Sequence, residues 1–423
     1  MTEAALLEDE AALLEDVVAR YGTPCYVYDA GILQASFAAL RAALPAPSRI
    51  LYSLKANPHP ALVSRLGKWG CGAEVSSMQE LRTALRAEIA PSHVLYTGPG
   101  KGEGELTAAL RCGVTLFSIE SVVDLARLEA VAAREGSGVR AILRINPACS
   151  APTPGLAMGA SATQFGIDVD WIEREPKLFC SSDHVELVGI HCYLGSNLQR
   201  ADELLRSFSV ALEASLAVAA RLGIRLELLD LGGGFGHPFA TPGATPDYRA
   251  LNLELRALLD SKVTGWQSDG PSVVFESGRY LAAACGTLSC RVQDVKVSRG
   301  RRFVVLDGGI NHLGGMSGLR RVPSIGLLPT ASAATAHATN VDLVGPLCTP
   351  LDRLAQNVPL TSAVVGDVLS VPNVGAYGLT ASLIGFLGRE PAAEVVVEGG
   401  RVVSATRLRL ERHTISVEDQ ANG

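Results

Sequence analysis

The sequence lacks the features that would place it in a membrane or on a nucleic acid. No apolar run reaches the roughly 18 residues that a membrane-spanning helix needs. No basic block interrupts a chain whose net charge is −6, whereas phosphate binding by a nucleic-acid-binding protein depends on such a block. Residues 1–20 are acidic and amphipathic, without the basic start of a signal peptide. We therefore predict a cytoplasmic protein that binds neither nucleic acid nor membrane.

The nine cysteines are scattered, without Cys-x-x-Cys pairs or the spacing of a metal site. Their number is odd, which favours reduced thiols over a disulfide framework. We predict no metal site and expect most of these cysteines to be small residues of the core.

The chain does contain a repeated alternation of short apolar runs and longer amphipathic stretches. Eight such units are typical of a (β/α)8 barrel, because parallel strands covered on both faces are apolar throughout. An open doubly wound sheet is the alternative. Polar or glycine residues close most of the runs, and the barrel brings those ends together on one face. The runs are Ile50–Lys55, Gly72–Ser76, Val94–Thr97, Thr115–Ile119, Ala141–Ile145, Leu187–Tyr193, Leu226–Leu231 and Ser272–Glu276.

After about residue 281 the pattern changes to alternating strands separated by glycine, proline and aspartate turns. We predict a barrel over residues 31–284 and a mostly antiparallel β domain over residues 1–30 and 285–423, because the early strand Cys25–Tyr28 is a candidate member of that domain. Pro329–Asn340, rich in alanine, threonine and serine, is predicted to be a flexible loop.

Lys55 closes the first apolar run, within Tyr52-Ser53-Leu54-Lys55-Ala56-Asn57. Burial lowers the pKa of an amine, and a neutral amine is the nucleophile that forms Schiff bases. Alternatively, Lys55 merely ends a strand and reaches solvent. The residues at the other strand ends favour a chemical role.

The stretch Leu229-Asp230-Leu231-Gly232-Gly233-Gly234-Phe235-Gly236 ends another strand in a glycine run. Glycines let the backbone approach an anion closely and aim successive N–H groups at it. A phosphate cradle and a tight barrel loop are both consistent with this run. No Walker motif and no Gly-x-Gly-x-x-Gly motif is present.

Charged and aromatic groups end two further strands. In Phe275-Glu276-Ser277-Gly278-Arg279, either Glu276 and Arg279 form a local ion pair, or Arg279 meets a phosphate and Glu276 a basic ring nitrogen. His191 lies in an apolar strand, as a satisfied core residue or as a stacking partner for a flat ring. Ser196, five residues later, is within reach of a phosphate.

Two motifs follow in the C-terminal half. Cys348, in Gly345-Pro346-Leu347-Cys348-Thr349-Pro350, is framed by turn residues and should be exposed. A thiol on a loop suits proton transfer, although a bystander cysteine is equally consistent. Tyr377, flanked by glycines, either closes over a cofactor or fills a turn. A lysine, an acid for a ring nitrogen and a phosphate clamp together indicate pyridoxal phosphate.

From Tyr26 to about Arg389 the chain resembles the fold-type III pyridoxal phosphate decarboxylases, the group of diaminopimelate, ornithine and arginine decarboxylases. The resemblance implies an N-terminal barrel of the alanine racemase type, a C-terminal β domain and a homodimer with shared active sites. It implies that Lys55 forms the Schiff base, that His191 stacks on the ring and that Cys348 acts as an acid in the other subunit's site. The remaining cofactor-binding residues implied are Glu74, Arg144, Ser196, Gly232, Gly233, Gly234, Glu276, Gly278, Arg279 and Tyr377.

The chain departs from diaminopimelate decarboxylases at the substrate. Their cysteine is followed by a glutamate that grips the distal amino group, and here the residue is Thr349. Arg320 and Arg321 are candidates to hold a substrate carboxylate or a carrier's phosphopantetheine arm. The motifs resemble those of a natural-product branch that decarboxylates aspartyl or glutamyl groups on an acyl carrier protein.

The sequence therefore predicts a decarboxylase that acts on an L-amino acid or on an aminoacyl group tethered to an acyl carrier protein. Diaminopimelate decarboxylase is the first alternative. An amino-acid racemase is the second, opposed by Glu276, since racemases of this fold favour an arginine at the ring nitrogen. A regulator of the family that has lost catalysis is the third, opposed by the retention of Lys55, Cys348 and Arg279.

Overall fold

The computed structural model describes residues 3–148, 163–314, 325–328, 338–361 and 363–414. The helices in these ranges are α1 Glu3–Tyr21, α2 Ala30–Ala43, α3 Pro60–Lys68, α4 Met78–Arg86, α5 Glu103–Arg111, α6 Val122–Glu135, α7 Val169–Arg174, α8 Ala201–Leu222, α9 Leu251–Lys262 and α10 Arg279–Ala282. None of them combines the length and the apolarity that crossing a membrane requires.

The first sheet is a closed barrel of eight parallel strands, as predicted. Its pairing order is β5-β4-β3-β2-β10-β9-β8-β6, and β5 also pairs with β6, which closes the ring. A short strand, β7, pairs with β6 outside the ring. The strands are β2 Arg49–Ser53, β3 Gly72–Val75, β4 Val94–Tyr96, β5 Leu116–Ile119, β6 Val139–Asn146, β7 Ile167–Asp168, β8 Val185–Cys192, β9 Leu228–Asp230 and β10 Ser272–Ser277.

The barrel interior is apolar at one end and polar at the other. Six buried residues form a cluster separate from the main core, namely Leu51, Leu95, Ile142, Val188, Leu228 and Val274. Side chains two positions apart on a strand face the same way, so the residues that follow share this interior. They are polar on four strands, namely Ser53, Arg144, Asp230 and Glu276. An aliphatic plug therefore lies beneath a polar layer at the C-terminal face.

The second sheet is mostly antiparallel, with the order β14-β13-β12-β11-β1-β16-β17 and with β15 paired to β11. Within the described ranges, only β1–β16 and β12–β13 pair in parallel. The early strand lies between β11 and β16, in register with both. The strands are β1 Cys25–Asp29, β11 Gly286–Ser298, β12 Arg301–Leu306, β13 Ala338–Val344, β14 Arg353–Thr361, β15 Val368–Val371, β16 Ala393–Glu398 and β17 Arg401–Arg407.

Two details differ from the sequence analysis. Strand β14 was not expected, and the loop predicted over Pro329–Asn340 is wrong at its end, because residues 338–340 begin β13. There they pair with β14, in the register Ala338 to Thr361. Residues 329–337 of that predicted loop lie outside the described residues.

Candidate active site

A cavity of about 400 Å³ opens at the C-terminal ends of the barrel strands. Each barrel strand there turns into a loop, which brings residues far apart in sequence to one rim. Most of the residues singled out from the sequence line this cavity, namely Lys55, Glu74, Arg144, Ser196, Gly233, Gly234, Glu276, Gly278, Arg279 and Tyr377. His191 and Gly232 lie behind the cavity wall, with His191 only 1% exposed.

Lys55 lies in a short 3₁₀ turn, Leu54–Ala56, directly after β2. Its Nζ donates to both carboxylate oxygens of Glu74, at 2.8 and 2.9 Å. The parallel register pairs Ser53 with Glu74, which places the acid beside the turn. Thr97 donates a further hydrogen bond to Glu74 at 2.8 Å, so the carboxylate is fixed in the orientation that receives the lysine.

The expectation that burial lowers the pKa of Lys55 is wrong for this arrangement. Burial alone acts in that direction, but the Glu74 carboxylate outweighs it, and the pKa of Lys55 is raised. The pKa of Glu74 is correspondingly lowered despite its burial, because of the Lys55 ammonium and the hydrogen bonds to Glu74. Lys55 is therefore held as a positioned ammonium beside an ionised Glu74 carboxylate.

A second lysine, Lys101, also lines the cavity. Its amine is bound to the Asp124 carboxylate at 2.7 Å and donates to the carbonyl oxygens of Gly98 and Ser118 at 2.7 and 2.8 Å. The Lys101 side chain is 2% exposed, whereas that of Lys55 is 48% exposed to the cavity. Of these two lysines, only Lys55 offers an accessible amine.

The glycine run follows β9 and passes close to β10. A Cβ atom at Gly233 would collide with the carbonyl oxygen of Glu276. Gly234 has a φ of +103°, in the left-handed region. The run therefore needs glycine for its shape. Without side chains, its backbone is exposed at the cavity wall, as anion binding requires.

Arg279 faces Tyr377 across the same rim. The Arg279 guanidinium lies 4.8 Å from the centre of the Tyr377 ring, a distance typical of a cation–π contact. The N–H group of Tyr377 donates to the carbonyl oxygen of Ala56 at 2.7 Å, and Asn57 donates to the carbonyl of Gly375 at 2.7 Å. The segment that carries Tyr377 is thus attached to the turn that carries Lys55.

His191, Asp230 and Glu276 lie on the neighbouring strands β8, β9 and β10, all buried. His191 Nδ1 shares a hydrogen bond with the Ser118 hydroxyl at 3.2 Å, and His191 Nε2 lies 3.6 Å from a Glu276 oxygen. Burial, followed by Arg144, lowers the pKa of His191 well below its usual range. Burial, followed by Glu74 and Asp230, raises the pKa of Glu276. These shifts favour a neutral imidazole and the protonated form of Glu276.

Arg144 and Tyr193 also line the cavity. Arg144 pairs with Glu120 at 3.2 Å and lies over the ring of Phe165 at 4.9 Å. Tyr193 lines the cavity, and burial raises the pKa of its phenol. Sequence reasoning gave Tyr193 no role, although it directly ends the strand that carries His191.

Cys348 is exposed, as predicted. Neither Cys348 nor Thr349 belongs to the described lining of the cavity. Their loop is built on Asp352, which is 3% exposed and accepts the N–H groups of Ile310 at 2.8 Å and Leu347 at 2.7 Å. The sequence analysis gave Asp352 no role. The feature that could have identified it is an acidic residue within the turn motif that begins at Gly345-Pro346. The predicted substrate residues Arg320 and Arg321 lie outside the described residues.

The residues of the cavity fit pyridoxal phosphate. An accessible amine, a bare glycine backbone beside an arginine, and a buried acid occur on one rim. Glu276 lines the cavity, and its Oε1 is buried without a hydrogen-bond partner in the described chain, so this acid can pair with a ring nitrogen. Lys55 would hold the aldehyde carbon, Arg279 and the glycine run the phosphate, and Glu276 the ring nitrogen.

Comparisons with known proteins agree with this fit. The family described as pyridoxal-dependent decarboxylase, pyridoxal binding domain, matches residues 31–283. The chain is 30% identical over 417 residues to the L-glutamyl-[BtrI acyl-carrier protein] decarboxylase of Niallia circulans, covering 94% of this chain and 97% of that protein. It is 32% identical over 402 residues to the diaminopimelate decarboxylase of Aquifex aeolicus, covering 93% and 91%.

The fold agrees as well. The crystal structure of diaminopimelate decarboxylase from Helicobacter pylori complexed with L-lysine superposes with a TM-score of 0.80 at 26% identity. The superposition covers 92% of this chain and 95% of that one. The chain belongs to the fold-type III pyridoxal-phosphate-dependent decarboxylases, a family of lyases that includes the diaminopimelate decarboxylases.

Proposed function

We propose that this decarboxylase removes the α-carboxylate of an aminoacyl group, of the glutamyl or aspartyl type, carried on an acyl carrier protein in natural-product biosynthesis. The observation that carries the proposal is Thr349, directly after Cys348. The Thr349 N–H donates to the carbonyl of Leu347 at 2.8 Å, and its hydroxyl accepts from the N–H of Leu351 at 3.3 Å. A neutral side chain engaged in its own loop supplies no charge for a distal ammonium group.

The function of one relative supports the same proposal. The Niallia circulans protein is named for a glutamyl group on a carrier protein, and the alignment with it spans nearly the whole of both chains. A carrier-tethered substrate presents a thioester and an arm on its far side in place of a free carboxylate. Such a substrate has no charged group at its far end for the protein to bind. It needs an accessible path for the arm to the reacting carbon.

Four side chains of the protein then have separate roles beside the cofactor. Bound pyridoxal phosphate supplies the electron sink that accepts the electron pair left when CO₂ departs. Lys55 would hold the cofactor and give it up to the substrate amine, and Glu74 would orient the Lys55 amine. Glu276 keeps the ring nitrogen protonated, which strengthens the sink. Cys348 of the partner subunit returns a proton to the substrate carbon.

Diaminopimelate decarboxylation is the second candidate. It is favoured by the 32% identity with the Aquifex aeolicus enzyme and by the TM-score of 0.80 with the lysine-complexed Helicobacter pylori enzyme. This candidate requires another residue to replace the charge that Thr349 does not provide.

The deciding experiment incubates the purified enzyme, loaded with pyridoxal phosphate, with glutamyl- and aspartyl-carrier thioesters and with free glutamate, aspartate and diaminopimelate. Loss of CO₂ is followed by mass spectrometry of the intact carrier and of the free amino acids. We expect loss from a carrier thioester and none from diaminopimelate. Turnover of diaminopimelate alone would overturn the proposal.

The Thr349→Glu variant is a matched test of the same residue. The added carboxylate should weaken turnover of the carrier thioester, because it places a charge beside the uncharged thioester end of the aminoacyl group. Turnover of the thioester by Thr349→Glu at the wild-type rate would show that this position does not select the substrate.

A further inference from the structure

Three buried groups meet at the point where the ring nitrogen of the cofactor is proposed to lie. One polar atom from each of His191, Asp230 and Glu276 lies within 4.8 Å of the other two. Their exposures are 1%, 0% and 6%. Each has a buried atom without a hydrogen-bond partner in the described chain, namely His191 Nε2, Asp230 Oδ2 and Glu276 Oε1. Asp230 has no role in the function proposed above.

The barrel register explains why Asp230 points there. His191 and Asp230 are direct neighbours on β8 and β9, and Asp230 shares its inward direction with Leu228 of the apolar plug. Asp230 Oδ1 accepts the N–H of Gly232 at 2.8 Å. That bond fixes the carboxyl at the start of the glycine run, while Oδ2 is buried without a hydrogen-bond partner in the described chain.

Two buried carboxyl groups this close do not readily ionise together, because like charges at short range repel strongly where solvent screens them little. His191 does not neutralise them, since its imidazole is neutral. Lys55, Arg144 and Arg49 are the cations that act on the pair, and Glu74 adds further negative charge. The balance raises the pKa of both acids, burial being the largest cause for each.

We propose that Asp230 and Glu276 hold one proton between them in the enzyme without cofactor, and that this proton passes to the ring nitrogen when pyridoxal phosphate binds. The O–H bond of Glu276 breaks, an N–H bond forms, and the pair becomes two carboxylates facing one pyridinium. The total charge does not change, and no proton is drawn from solvent for this step. Asp230 is thus a positioning residue, which acts through Glu276. The inference rests on the proposed place of the ring beside Glu276.

The test is infrared difference spectroscopy of the enzyme with and without pyridoxal phosphate, which follows the carbonyl stretch of protonated carboxyl groups. The wild-type enzyme should lose one such band on binding, and the Glu276→Gln variant should lose none. The visible absorbance of the bound cofactor is recorded on the same samples. A wild-type enzyme that binds the cofactor and loses no band overturns the inference alone. A wild-type enzyme that binds no cofactor overturns the proposed site itself.

Asp230→Asn then tests the pairing. Removing one of two like charges should shift the titration of the remaining carboxyl band to lower pH in the unloaded enzyme, by on the order of one pH unit. Asp183→Asn, at an exposed aspartate, should titrate as the wild type does. An unchanged titration in Asp230→Asn would overturn the pairing. If Asp230→Asn does not fold, the wild-type and Glu276→Gln spectra still decide the proton transfer.

Discussion

At the scale of single residues, the chemistry depends on which charged side chains are not already saturated by hydrogen bonds and ion pairs. Lys55 and Lys101 both line the cavity, but the Lys101 amine is saturated by Asp124 and two carbonyl groups. Glu74 keeps Lys55 in place without covering it. Both lysines lie in loops that follow strands of the same barrel. Their different hydrogen-bond partners therefore make Lys101 structural and leave Lys55 reactive.

Glu276→Gln should lower kcat about 100-fold, because an amide cannot stabilise the positive charge at the ring nitrogen as a carboxylate does. The cofactor should still bind, since Lys55, Arg279 and the glycine run are unchanged. Steady-state kinetics and the visible absorbance of the bound cofactor measure the two effects. Glu186→Gln, at an exposed residue of β8, is the matched control. Wild-type kcat in Glu276→Gln would contradict the assigned position of the ring.

At the scale of elements, the polar ends of the apolar runs made most of the site predictable. Apolar runs closed by a polar residue identified Glu276, His191 and the glycine run, because strand ends meet on one face of a barrel. Strand β14 escaped notice because Asn357 and Pro359 break its alternation, and Asn357 has a φ of +54°. The role of Asp230 could not be predicted from the sequence either, because it depends on the residues that lie beside Asp230 in the fold.

The loop that carries Cys348 depends on one carboxylate. Asp352→Asn replaces an oxygen that accepts a backbone N–H with an amide group that repels it, so the loop should shift. We expect kcat to fall on the order of 10- to 100-fold through misplacement of Cys348, with cofactor absorbance unchanged. Asp367→Asn is the control, because Asp367 accepts the Val364 N–H at 2.9 Å in another loop of the β domain. Loss of cofactor binding in Asp352→Asn would contradict this role.

Strand β16 contains a buried acid whose titration should affect stability. Tyr28 donates to Glu394 at 3.0 Å, and burial raises the pKa of Glu394 from 4.5 to about 7. Between these values the folded chain keeps a proton that the unfolded chain has lost, so stability falls as pH rises through this window. Glu394→Gln removes this loss.

We therefore expect the Tm of Glu394→Gln to rise relative to that of the wild type between about pH 5 and about pH 8. Thermal denaturation at both pH values measures the difference, with the exposed Glu254→Gln as the control. A constant difference in Tm across the window would show that Glu394 ionises normally.

At the scale of the whole molecule, the barrel carries Lys55 while the β domain carries Cys348, which is exposed and absent from the described cavity lining. Exposed apolar side chains occur on the same domain, with Leu351 at 53%, Val364 at 59% and Val365 at 63%. These observations support a homodimer in which each active site takes Cys348 from the partner subunit.

Mixing the Lys55→Ala and Cys348→Ala variants tests this shared site. Each variant alone should be inactive or nearly so. After subunit exchange, half of the dimers are mixed and contain one intact site of two, so activity should return to about a quarter of the wild-type value. Steady-state assays before and after exchange measure the recovery. Dimers that exchange subunits without regaining activity would place Cys348 in its own subunit's site.

The central claim is that this cavity binds pyridoxal phosphate through Lys55, and the most direct test is to trap that bond. Borohydride reduction of the loaded enzyme fixes the cofactor to the lysine that holds it, and peptide mass spectrometry locates the adduct. The account predicts a single modified peptide, with the cofactor on Lys55. An adduct on Lys101 or another lysine, or no adduct in an enzyme that decarboxylates its substrate, would contradict it.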